Sequence, residues 1–149
     1  DQFNAVPHLA VRKTADESVT SSTTLQDDDS LILPVAANEV WLVRFGVLFS
    51  GSTAGNFKNR FTFPAGGTIS LSAVGKNVAG NVSVGYFFDA TTSVDWLCLN
   101  GPVAYLSFDG VYTNGATPGS LTLQWAQNAS NATATVVKAN STLWAAKLA

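Results

Sequence analysis

From Glu39 to Ser50 the chain alternates with a period of two: Trp41, Val43, Phe45, Val47 and Phe49 fall on one side, and Val40, Leu42, Arg44, Gly46 and Leu48 on the other. Successive side chains of a β-strand point to opposite faces, so this segment predicts a long strand that is apolar on both sides. Such a strand has to be covered twice, once by the domain's own core and once by something else. Arg44 is the exception on the second face, and its charge must snorkel to water or find a partner.

The rest of the chain repeats the pattern in shorter pieces. Strands are expected at Ser18–Leu25, Leu31–Leu33, Phe57–Phe63, Thr68–Val74, Val82–Phe88, Val94–Leu99, Val103–Tyr112, Leu121–Ala126, Thr133–Val137 and Leu143–Leu148. Between them lie turn formers such as Ala37-Asn38, Gly51–Gly55, Pro64–Gly67, Thr113-Asn114-Gly115 and Pro118-Gly119. In the expected strand Phe57–Phe63, Phe57, Asn59, Phe61 and Phe63 share a face while Lys58, Arg60 and Thr62 share the other. No long window carries a convincing helical stripe. The fold expected is all-β, a jelly-roll-like antiparallel β-sandwich of about ten strands. Its 149 residues suffice for one self-supporting core. The sandwich is assigned to residues 14–149. Residues 1–13 read as an extended N-terminal arm that docks through Phe3, Val6, Pro7, Leu9 and Val11, either along its own sandwich or, the preferred reading, on a partner, because apolar side chains on a free terminus gain nothing by staying in water.

Charge and chemistry narrow the function classes. Hydrophobic residues make up 46% of the chain and charged residues 12%, about half the usual charged share of a soluble domain. The net charge is −2, and the eight Lys and Arg are scattered, so no basic stripe exists to neutralise phosphates and nucleic acid is not an expected partner. The longest apolar stretch, Val40–Phe49, is short and interrupted by Arg44, and no membrane partner is expected. His8 is the single histidine and Cys98 the single cysteine. They lie far apart in sequence, which argues against a nucleophile–base pair or a zinc site, and Cys98 reads as a buried thiol. Asp27-Asp28-Asp29 reads as a solvated turn closing a strand. Asp16, Glu17, Glu39, Asp89, Asp95 and Asp109 show no pairing that would suit glycoside hydrolysis. The expectation is therefore no catalytic residue, no cofactor and no metal, in a protein that binds rather than catalyses.

Two segments carry a resemblance. Thr14–Asp29 running into Leu33–Asn38, and Leu121–Asn128 running into Thr133–Lys138, resemble a recurrent domain in virion proteins of tailed bacteriophages, particularly phages of actinobacteria. The resemblance implies a structural protein on the outer surface of the head or tail. On that basis the first expectation is a capsid decoration or cement protein, a homo-oligomer and preferably a trimer. Val40, Leu42, Arg44 and Leu48 would then form the subunit interface, and the arm would dock on the major capsid protein or another virion protein. The alternative is a tail-fibre or tail-tip module binding a host receptor or cell-wall glycan through Tyr86, Tyr112 and Asn114, since aromatic rings stack on sugars.

Overall fold

A computed structural model describes residues 6–87 and 92–149. Among them the strands are β1 (His8–Arg12), β2 (Glu17–Val19), β3 (Gln26–Val35), β4 (Val40–Ser50), β5 (Phe57–Thr62), β6 (Thr68–Lys76), β7 (Val82–Phe87), β8 (Val94–Trp96), β9 (Ala104–Thr113), β10 (Gly119–Ala126), β11 (Thr135–Val137) and β12 (Thr142–Lys147). One sheet runs β3-β10-β5-β8, and the other contains the path β1-β12-β4-β9-β6-β7 with β11 and β2 alongside. Every strand pairing is antiparallel.

Followed from β3 to β10, the chain crosses repeatedly between the sheets, and the two sets of four strands, β3-β10-β5-β8 against β4-β9-β6-β7, interleave as a jelly roll. The larger sheet is then widened beyond β4 by β12 and β1. The expected jelly-roll sandwich is therefore present.

The core lies between the two inner faces. Phe45 meets Phe61 at 5.0 Å between ring centroids, Phe49 stacks on Phe57 at 4.6 Å, and Phe61 meets Phe108 edge-on at 5.1 Å. Trp125 and Trp96 close the layer against Phe57 and Phe108. Offset and edge-on pairs of this kind add to the stabilisation given by burial itself. Among the aromatic rings the polar Asn59 is fully buried and accepts a hydrogen bond from Trp96 Nε1 at 2.7 Å. At Gly110 the backbones of β9 and β6 approach so closely that an added Cβ would sit 2.0 Å from the Ser70 carbonyl oxygen, which only glycine permits.

Three expectations are corrected here. Residues 8–12 do not extend away from the sandwich: they are β1, paired with β12 from His8↔Ala146 to Arg12↔Thr142, and Leu9 and Val11 pack on the core. The predicted strand Ser18–Leu25 is short, ending as β2 at Val19, because Ser21 takes a left-handed conformation with φ 52°. Asp27-Asp28-Asp29 is not a solvated turn but part of β3. Its pairing with β10 jumps from Thr122↔Ile32 to Gln124↔Asp27, so a bulge leaves the Ser30 and Leu31 amides without cross-strand partners. The buried Asp28 carboxylate accepts both of them.

Two outcomes follow. Phe61→Ala removes a ring from the centre of the aromatic layer and should cost about 3–5 kcal/mol in urea unfolding monitored by tryptophan fluorescence. Cys98 is fully buried and its thiol is pushed up to about 12 by burial. It should therefore stay unreactive to a thiol-modifying disulfide reagent at pH 8 until the chain unfolds.

Candidate assembly surface

Pairing register determines which side chains share the outer face of the larger sheet. One transverse row runs His8, Ala146, Leu42, Val111, Ser70, and the next runs Ala10, Trp144, Arg44, Asp109, Ser72. A third runs Arg12, Thr142, Gly46, Ser107, Val74. No second layer of the described chain covers this face. Leu42 is 39% exposed and Trp144 40%, where a solvated sheet face carries polar residues.

At one end of the face, Val6, His8, Leu42, Trp144, Ala146 and Leu148 line a shallow apolar groove of about 430 Å³. Towards the other end Val74, Lys76, Val82, Tyr105 and Ser107 border a smaller depression of about 270 Å³. Tyr105 reaches across to Gly46, where a Cβ would lie 2.9 Å from its hydroxyl, so the glycine makes room for the ring. Between the two depressions Arg44 Nε donates to Asp109 Oδ1, and the adjacent carboxylate raises the guanidinium's pKa further. The charge on β4 thus finds its partner on β9. Both groups are well exposed, so the pair contributes more to orientation than to stability.

All four residues expected at a subunit interface, Val40, Leu42, Arg44 and Leu48, lie on this outer face of β4, with Leu42 and Arg44 exposed and Val40 and Leu48 half-buried. Sequence reasoning missed their neighbours Trp144, Val111 and Tyr105. Of the arm residues, Leu9 and Val11 are turned inward, Val6 lines the groove, and the Pro7 carbonyl accepts the Lys147 amide at 2.8 Å. Phe3 lies outside the described residues.

Two of the three expected receptor contacts, Tyr112 and Asn114, are not on the surface. Tyr112 is fully buried and donates to Asn114 Oδ1 at 2.6 Å. Asn114, itself 3% exposed, donates to the carbonyls of Ala36 at 2.7 Å and Thr117 at 2.9 Å. The pair ties two loops together, and burial raises the Tyr112 hydroxyl to about 12. The side chain of Tyr86 lies outside the described residues.

A second polar cluster sits beneath the edge formed by β1. Lys13 is 2% exposed and its Nζ lies 2.6 Å from Glu17 Oε2 and 3.1 Å from each oxygen of the fully buried Asp28. Burial opposes the charge on Lys13, but the bonds to Glu17 and Asp28 outweigh it and hold the ammonium's pKa above the ordinary lysine value. Glu17 is held in turn by Gln26 Nε2 at 2.7 Å and the Asp29 amide at 3.1 Å.

No family model matches the chain, and no curated protein matches it. Among solved structures it is similar to that of the infectious bursal disease virus Gt strain, at 7% identity and a TM-score of 0.27 over 97% of this chain and 38% of the other. It is similar also to the D431N mutant VP2 protein of infectious bursal disease virus in derived T=1 particles, at 8% identity and a TM-score of 0.27 over 97% and 39%. The chain thus spans about two fifths of the length of these neighbours.

Proposed function

We propose that this chain is a structural protein of a bacteriophage virion, a capsid decoration protein that acts by assembly rather than catalysis. The observation that carries the reading is the outer face of the larger sheet, where Leu42, Val111 and Trp144 stand exposed beside the groove lined by Val6, Ala146 and Leu148. A continuous apolar strip on a folded domain marks a surface that another protein covers. In this reading copies of the chain close into a ring, a trimer, through that face, and the ring sits on the major capsid protein at the particle's outer surface. Many equivalent sites on a shell allow a modest interface per copy to hold through multivalency.

The jelly roll supports the reading only as an architecture compatible with it, since one fold serves many functions. The tail-fibre alternative rested on Tyr86, Tyr112 and Asn114, and of these the side chains of Tyr112 and Asn114 are engaged inside the domain.

The purified chain should run as an oligomer in light scattering, and Leu42→Asp should yield a folded monomer that no longer decorates shells stripped of the protein. A monomeric wild-type chain found in only a few copies per particle would contradict the proposal.

A further inference from the structure

The Lys13, Asp28 and Glu17 cluster contains the parts of an acyl-transfer site. We propose that it closes an intramolecular isopeptide bond between Lys13 Nζ and Asp28 Cγ, so that the domain carries a covalent brace of its own making. The inference is independent of the assembly reading, because it concerns groups inside one chain.

Each part has a named atom. The nucleophile is Lys13 Nζ, 3.1 Å from both carboxylate oxygens of Asp28 and therefore at near-attack distance from the carbon between them. The base is Glu17, whose Oε2 lies 2.6 Å from Nζ and whose other oxygen is anchored by Gln26. The oxyanion site is supplied by the β3 bulge: the Ser30 and Leu31 amides donate to Asp28 Oδ1 at 2.9 and 2.8 Å. Two backbone donors fixed on one oxygen stabilise the charge that develops there as the tetrahedral intermediate forms. Asp28 Oδ2 receives neither amide, and it is the oxygen free to leave.

The step balances as a condensation. Glu17 takes one proton from the Lys13 ammonium, and the neutral amine attacks Asp28 Cγ, forming the C–N bond and placing negative charge on Oδ1 held by the two amides. The proton on Glu17 passes to Oδ2, a second proton follows from Nζ, and the Cγ–Oδ2 bond breaks to release water. One ammonium and one carboxylate become one neutral amide and one water, with no oxidant or cofactor.

The ion pair is the resting state, because both carboxylates favour the charged lysine. That slows the reaction without preventing it, since each chain needs a single turnover. Burial then favours the product: Lys13 and Asp28 are withdrawn from the water that would hydrolyse the amide, and condensation removes two charges from a low-dielectric site. The bond would link the segment after β1 to β3, which belong to different sheets, and so clamp the edge where the two sheets meet.

Intact-mass spectrometry of the folded wild-type chain after prolonged incubation tests this. The expected mass is about 18 Da below the sequence mass, one water lost in forming the bond. Digestion should give a branched peptide joining Lys13 to Asp28, with no tryptic cleavage after Lys13. Lys13→Arg, which keeps the cation but cannot condense, and Glu17→Gln, which removes the base, should both show the full sequence mass. A folded wild-type chain at full mass would overturn the proposal, whatever the variants do. So would a water loss mapped to a cyclic imide at Asp109-Gly110.

Discussion

The contact between β4 and β5 across the core is the one on which the rest of the molecule depends. Phe45 on Phe61 and Phe49 on Phe57 bring the two sheets together at adjacent positions along both strands. β4 also pairs with β9 from Val40↔Thr113 to Phe49↔Ala104 on one side and with β12 and β11 on the other. Because side chains alternate, packing Phe45 and Phe49 inward forces Leu42, Arg44 and Leu48 outward. The apolar outer face is thus a consequence of the same register that builds the core.

That dependence explains what could be read in advance. Alternation in β4, β5 and β10 set both the existence and the phase of those strands, since Phe57, Asn59 and Phe61 are buried while Lys58, Arg60 and Thr62 are only half-buried. Asn38 takes the left-handed conformation that an Ala-Asn turn suggests. The β3 region was illegible for a physical reason: three successive aspartates look like a solvated turn unless a cation meets them, and Lys13 reaches Asp28 from a different part of the sheet edge. Long-range charge pairing has no local signature. In β12 Leu143 and Ala145 face inward and the larger Trp144 faces out, a phase that side-chain size alone does not give. Tyr112 and Asn114 looked like loop-side contacts, yet they satisfy one another beneath the surface.

The candidate site was legible in half. The double-sided character of Glu39–Ser50 identified Leu42, but its neighbours Trp144 and Val111 come from strands far away in sequence, and only pairing register shows that they adjoin it. N-terminal residues that look like a free arm contribute instead to the edge strand, because β12 offers an unpaired edge and Leu9 and Val11 have core to cover. The candidate surface therefore sits on the sheet rather than on a tether, and rigid strands hold its side chains in fixed positions.

The central claim is that this sheet face is covered when the protein is at work. Oxidative footprinting of Trp144, in the monomeric Leu42→Asp variant and in the wild-type chain on intact particles, measures that coverage at the residue nearest its middle. The account predicts strong protection of Trp144 on the particle, with the exposed Val103 on the rim oxidised alike in both. Equal oxidation of Trp144 in the two states would contradict it.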